Sequence, residues 1–162
     1  TGAVWAYGNS KVTPYTEQFF VGGANSIRAF NARQIGPGSY RSSFQRRSYV
    51  EQTGDLKLQM NLEYRPHLLG SLYGAVFLDA GNVWTLHHDT ARKGGQFVFK
   101  NTFKQMALGT GVGLRYDIGY FMLRIDWGVG LHVPYNTGKR GLYNIAKFKD
   151  AQTLHLAIGL PF

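Results

Sequence analysis

The chain has 162 residues, a formal net charge of +9 and no cysteine. That length allows one domain, and the missing thiols exclude a disulfide framework, a thiolate metal site and a cysteine nucleophile. No stretch reaches the roughly 18 consecutive apolar residues of a membrane helix, no signal peptide is visible, and abundant glycine with 15% aromatics suits a β protein with many turns.

At the start, Ala3, Trp5 and Tyr7 share one face of a short alternation, which predicts the end of a strand over 1–8. A long segment, 9–54, then shows no clean period. Turn chemistry brackets its centre, Gly22-Gly23 on one side and Gly36-Pro37-Gly38 on the other. Between them lies an apolar-basic-aromatic tip, Ile27-Arg28-Ala29-Phe30, followed by Ile35. A loop of this length is functional or disordered, and Phe19, Phe20 and Phe30 argue for order. The sequence predicts a loop that folds back and buries Arg28; an ordinary solvated arginine is the plainer alternative.

From Leu56 the alternation becomes strict. Leu56, Leu58, Met60, Leu62 and Tyr64 face one way, and Lys57, Gln59, Asn61, Glu63 and Arg65 the other. Pro66 and Gly70 bracket a short turn, counted as centred near Leu68. The next strand sets Leu72, Val76, Leu78 and Ala80 against Tyr73, Ala75, Phe77 and Asp79, and ends near Asn82 to Trp84. A polar, basic loop leads to a strand with Met106, Leu108, Val112, Leu114 and Tyr116 on one face. Ala107, Gly109, Gly111, Gly113, Arg115 and Asp117 lie opposite. After a tight turn at Ile118-Gly119, Leu123, Ile125, Trp127, Val129, Leu131 and Val133 face out. Met122, Arg124, Asp126, Gly128, Gly130 and His132 face in. A third long loop precedes the final strand, Leu154, Leu156, Ile158, Leu160 and Phe162, with Gly159 on its other face; lacking a side chain to pack, Gly159 is expected to weaken pairing there, and Gly159→Val to stiffen the edge.

One face is aliphatic and nearly unbroken, the other holds charges and glycines, and the connections alternate long and short. Long external loops, short periplasmic turns and alternating strands are the marks of an outer-membrane barrel. Strands of about nine to eleven residues suit a tilted crossing of the hydrocarbon. Tyr64, Trp84, Tyr116, Phe121 and Phe162 stand near strand ends, where girdle aromatics belong. The fold class expected is all-β, an antiparallel transmembrane β-barrel. Six strands, the first partial, are too few to close one, because single-chain membrane barrels start at eight. Residues 1–162 are therefore read as the C-terminal part of a larger barrel, with the C-terminus periplasmic; closure by several copies is the alternative.

The pieces FVGGANSIRAF and IGPGSY resemble the sixth extracellular loop of the BamA/TamA outer-membrane assembly proteins. LEYRP, FLDAGNVW, GTGVGLRYD and the ending LHLAIGLPF resemble the strands that follow it, in the same order, with a TamA-like cast. The family pattern usually has Gly where Ala29 stands. The resemblance implies a sixteen-stranded barrel of a Gram-negative outer membrane that inserts nascent outer-membrane proteins. It implies a motif of Gly22, Gly23, Ile27, Arg28, Ala29, Phe30, Ile35, Gly36 and Pro37, with the loop arginine paired to acids on the lumen wall. It also implies a weak seam formed by the first and last strands, the latter being Leu154 to Phe162. The remaining strands and the periplasmic domains of such proteins are expected outside this chain.

Glu63 and Asp79 are the inward acids on neighbouring strands and the expected partners of Arg28, shielded by Tyr73, Phe77 and Phe30. A turn near Leu68 leaves the two acids about 20 Å apart along the strands, which favours Asp79 as a single partner. Glu63 pairing locally with Lys57 or Arg65 is the plainer reading. Gly109, Gly111 and Gly113 lack the spacing of a dinucleotide loop and read as a bare wall for close packing. Adjacent histidines in His87-His88-Asp89 point apart, so no metal is expected, nor any cofactor or enzyme activity. Outer-loop cations (Arg41, Arg46, Arg47, Lys93, Lys100, Lys104, Lys139, Arg140, Lys147 and Lys149) suit phosphorylated outer-leaflet lipid, lipopolysaccharide or lipooligosaccharide included. Nucleic acid would need a stripe with stacking aromatics. Two other functions compete with assembly: a passive translocation barrel for a secreted patatin-like enzyme, and a plain porin.

Overall fold

Alternating side chains commit each strand to two faces, and the strands that result pair into a single antiparallel sheet. The computed structural model describes residues 1–6, 13–41, 52–139, 141–145 and 147–159. Its strands are β1 (Gly2–Ala3), β2 (Leu56–Tyr64), β3 (His67–Leu69), β4 (Leu72–Trp84), β5 (Ala107–Asp117), β6 (Met122–His132) and β7 (Gln152–Ile158). They lie in the order β1-β2-β4-β5-β6-β7, with β3 beside β4, and the sheet is open at β1 and β7. Among the described residues there is no α-helix, only short 3-10 turns.

The outward rows are exposed along every long strand: Met60 and Leu62, Val76 and Leu78, Val112 and Leu114, Leu123 and Ile125, Leu154 and Leu156. Water-soluble monomers rarely present so continuous an apolar surface. The inward face is buried where the long loops fold over it. This is the expected all-β architecture of a partial barrel.

Four local details depart from the strict alternation. β1 stops at Ala3 because the N–H and carbonyl of Gly54, where Trp5 would pair, are both bonded to Phe19 at 2.9 and 2.8 Å. Tyr7 lies outside the described residues. The second departure is at Pro66, which has no N–H to give and interrupts the ladder. Pairing then resumes as β3, with His67 opposite Tyr73. The hairpin therefore turns at Gly70-Ser71, two residues later than the count from the sequence placed it. In the third, Leu108 pairs with His132 while Gly109 pairs with Gly130, leaving Leu131 as a bulge. A bulge shifts the facing of the residues beyond it, so His132 shares the outer face with Leu108 and Val133 turns in to join the core, the reverse of the sequence assignment. Finally, Trp84 is buried rather than a girdle residue. Its indole N–H donates to Gln105 Oε1 at 2.7 Å and Phe97 packs edge-on at 5.7 Å.

The first long loop and the sheet build the core together. Val21, Ile27, Ala29, Phe30 and Ile35 cluster with Val83, Ala107, Val133, Ile145 and Ala151. Fully burying an Ile or Phe stabilises by about 1.5–3 kcal/mol over leaving it exposed. The loop thus supplies five of the ten residues of that cluster, and it does so at the end of the sheet where the long loops gather.

Candidate functional site

Gly22 and Gly23 adopt φ of +96° and +90°, and the Gly23 N–H donates to the Phe30 carbonyl at 2.7 Å. A side chain at Gly22 would put its Cβ 2.1 Å from the Asn31 carbonyl oxygen. Arg33 N donates to Val21 O at 2.9 Å, which closes the base of the tip with the Val21–Ile35 bridge. Gly36 and Pro37, joined by a cis peptide bond, are buried on the far side. The result is a compact knuckle with Ile27 to Phe30 at its point.

The knuckle presses onto glycines. A Cβ on Gly128 would lie 2.6 Å from the Arg28 carbonyl oxygen, one on Gly109 2.2 Å from Ala29 Cβ, and one on Gly130 2.9 Å from the Phe30 ring. Of the wall glycines read from the sequence, Gly109 receives the loop. Gly111 instead gives room to Phe77, and Gly113 to Asp126 and Arg115.

Arg28 is fully buried. Its Nε and Nη2 donate to Asp79 Oδ2 and Oδ1, both at 2.8 Å, and its own backbone N–H donates to Oδ2 at 3.0 Å. Nη1 donates to Glu63 Oε2. The Phe77 ring lies under the guanidinium, 3.7 Å from Cζ to the ring centre. Phe30 packs against Gly130 instead, and Tyr73 pairs edge-on with His67 at the short-turn end, so neither shields the ion pair. Burial works against the Arg28 charge, yet the hydrogen bonds and charges of Asp79 and Glu63 outweigh it and hold its pKa above the ordinary value.

Both acids reach one arginine because the later turn puts Asn61 opposite Asp79 and Phe77 opposite Glu63. The acids are then two residues apart in register, about 7 Å along the strands. Asn61 Nδ2 bridges Asp79 to the loop, donating to Asp79 Oδ1 and to the Ser26 carbonyl, each at 2.8 Å. Ser26 Oγ donates to Gln59 Oε1 at 2.7 Å.

Beyond Arg28 the charges continue. Glu63 also meets Arg65 at 2.5 Å and Arg115 at 3.2 Å. Asp126 meets Arg115 at 2.6 Å, Arg124 at 3.3 Å and Arg28 at 4.0 Å. Arg115 and Arg124 face each other across β5 and β6. Directly opposed like charges are destabilising, and Asp126, ion-paired with both, offsets this. Arg124 Nη1 also donates to the Ala24 carbonyl at 2.9 Å, and its Nη2 to Asn25 Oδ1. Thr153 Oγ1 donates to the Arg28 carbonyl at 2.6 Å. One loop tip is thereby bonded to β2, β4, β6 and β7.

Sequence reasoning placed Arg115, Arg124, Asp126, Gly128 and Gly130 on the inward face but gave them no part in the site. Their inward parity on adjacent strands was the available signal. Asn61 and Thr153 carried no signal beyond parity. Of the final-strand residues, Leu154, Leu156 and Ile158 form the exposed edge row. Gly159 lies past the end of β7 with φ of +94°, its N–H donating to Met122 O at 2.7 Å. It cannot weaken pairing inside the strand, as the sequence suggested. Leu160 and Phe162 lie outside the described residues, as do Arg46, Arg47 and Arg140.

His87 Nδ1 lies 3.1 Å from Asp55 Oδ2, and Asp55 also accepts from Gln18 Nε2 and Leu86 N at 3.0 Å, fastening the base of the loop. Among the described residues no three His, Cys, Asp or Glu side chains gather as a metal site would need. Every acid of the lattice is engaged with an arginine. The arrangement can hold a loop inside a sheet through paired charge, and that is its chemistry. Across the whole chain, residues 1–162 match the family model described as the Omp85 superfamily domain.

Proposed function

As the chain belongs to the Omp85 superfamily, whose members assemble or translocate proteins at the bacterial outer membrane, we propose that it inserts nascent outer-membrane proteins through a lateral seam, with β7 as one edge. The proposal follows the BamA/TamA type and its TamA-like branch. In this reading the long loops face outward, the short turns and the C-terminus face the periplasm, and the outer-leaflet lipid, lipopolysaccharide included, surrounds the loop end.

The observation that carries it is the bonding of one loop tip to four strands, β7 among them. Arg28, Glu63 and Asp79 hold the loop, Asp126 and its two arginines extend the hold to β6, and Thr153 carries it to the edge. A porin reading leaves this unexplained, because a loop filling the inward face obstructs a pore.

The test uses the full-length protein in liposomes. Insertion of a nascent outer-membrane protein is followed by protease protection, with cysteines along β7 offered to cysteines in the substrate's terminal strand. Faster insertion with β7 cross-links is expected. A protein that leaves insertion unchanged, yet moves its own fused passenger across the bilayer, would support the passive-translocation reading instead.

A further inference from the structure

At the short-turn end, exposed aromatics sit on or beside the strands: Tyr64, Tyr116, Tyr120 and Phe121. At the loop end the strands offer no such ring, because Trp84 is buried. The exposed rings there stand outside the strands. Trp5 follows β1, Phe99 and Phe103 precede β5, and Phe148 precedes β7. The register puts the end of β1 and the starts of β5 and β7 at the same end of the sheet.

The segments before β5 and β7 are alike. Each is a 3-10 turn, Phe99–Asn101 and Phe103–Gln105 in one case, Phe148–Ala151 in the other. Each has a fixed inner side. Thr102 is buried with its hydroxyl on the Val98 carbonyl at 3.3 Å, Gln105 holds Trp84, and Ala151 is in the core. The remaining side carries Phe99 and Phe103, 79% and 81% exposed, and Phe148 at 54%. Each of these rings is followed by a lysine, Lys100, Lys104 and Lys149, and Lys147 precedes Phe148. Asp150 is the one carboxylate within these turns. Three exposed phenyl rings interleaved with four lysines have no use for bulk water. They suit a boundary with hydrocarbon on one side and anionic headgroups on the other, where aromatic rings settle and lysine stems lie along the apolar layer with their ammonium groups raised.

We propose that these lead-in turns form the outer girdle of the barrel and bind phosphorylated headgroups of outer-leaflet lipid. The phenyl rings enter the acyl layer beside the rows that begin at Leu108 and Leu154. Lys100, Lys104, Lys147 and Lys149 lie at phosphate height. The inference rests on the reading in which the loop end faces the outer leaflet. It adds which residues meet the lipid and which part of the lipid they select.

The full-length protein is placed in nanodiscs of dioleoylphosphatidylcholine, alone or mixed with diphosphorylated lipid A or with the same lipid stripped of phosphate. The heat-induced loss of the compact gel form gives an unfolding midpoint. Diphosphorylated lipid A is expected to raise the midpoint and the stripped lipid to leave it near that of phosphatidylcholine alone. The fourfold variant Lys100→Gln/Lys104→Gln/Lys147→Gln/Lys149→Gln should lose more than half of the rise, while Lys93→Gln/Lys139→Gln and the fourfold lysine-to-arginine variant keep it. If the fourfold glutamine variant does not assemble, Lys100→Gln/Lys104→Gln and Lys147→Gln/Lys149→Gln are read separately, each losing part of the rise. A full rise retained in the glutamine variants overturns the girdle. So does an equal rise from inorganic phosphate or an oligonucleotide added to phosphatidylcholine discs. A wild-type protein that never enters the disc overturns the membrane reading and this inference together; entry without phosphate dependence overturns the girdle alone.

Discussion

Glu63 and Asp79 stand two residues apart in register on β2 and β4, and Arg28 bonds both from a loop more than thirty residues away in the chain. Removing one partner of a buried pair costs about 3–5 kcal/mol, because the other charge stays buried. Arg28→Ala and Asp79→Asn should each lose about that much, and each should open the stretch from Gln18 to Tyr40 to protease. Residues that share one interaction do not add, so the double variant should cost clearly less than the sum. Denaturant unfolding of the four proteins checks this, and additive losses would refute the coupling.

Asp126 separates two arginines that face each other. Asp126→Asn should therefore destabilise by about 3–5 kcal/mol. A second change, Arg124→Gln, removes one of the two cations left behind and should recover part of the loss. If Arg124→Gln deepens the loss instead, the like-charge argument fails.

The knuckle needs a wall without side chains. Gly128→Ala forces a methyl against the Arg28 carbonyl oxygen and Ala29 Cα, at 2.6 and 2.8 Å, both of them backbone. Overpacking costs about 1–3 kcal/mol, and rigid backbone neighbours put this variant at the upper end. Gly74→Ala meets only Pro66 and two Leu68 methyls at 3.4 Å or more and should be nearly neutral. Equal unfolding midpoints for the two would count against the close approach.

The Thr153 hydroxyl ties β7 to the tip of the knuckle. Thr153→Val keeps the shape and removes the donor, leaving a buried carbonyl without that bond, a loss of about 1–3 kcal/mol. Hydrogen exchange should quicken along β7 and at residues 26–30, while the β4–β5 ladder is unchanged. Uniform quickening would indicate general destabilisation and sink the idea of a local tie.

The two faces of β6 should answer differently to charge. Ile125→Arg, further into the outer row, should cost about 2–4 kcal/mol, and Leu123→Arg, level with Tyr116 near the short-turn end, less. Met122→Arg, on the inward row, should cost far less. A folding titration into lipid vesicles compares them, and equal costs would reverse the assignment of inside and outside.

The sheet was legible because its strands repeat at a period of two, and that period assigns faces without tertiary knowledge. Where the period broke, so did the reading. Pro66 looked like the start of a turn, yet His67 and Leu69 pair again, and the two-residue error turned a shared partnership of Glu63 and Asp79 into an apparent gap. The extra residue at Leu131 reversed His132 and Val133. Trp84 carries the signature of a girdle residue, and only the fold of a later loop buries it. Arg115 and Asp126 were visible as inward residues, but a period gives facing and not distance, so their union with Glu63 needed the register. Gly159 was read as a weak point within the final strand. At φ of +94° it is a bend beyond the strand, and Gly159→Val would be strained there rather than stiffening.

Because half of the core cluster comes from one loop that is fastened to four strands, the order of events in folding is constrained. The β5–β6 and β3–β4 hairpins join residues close in sequence and need no help from the first third of the chain. The hydrogen bond from Thr153 to Arg28 spans 125 residues. Such distant contacts carry the largest loop-closure cost and form slowly. The inward face of a newly paired sheet therefore stays wet, its arginines and acids solvated, until the knuckle docks. Docking is then the late step, and a chain caught before it has its strands in register and only part of its interior.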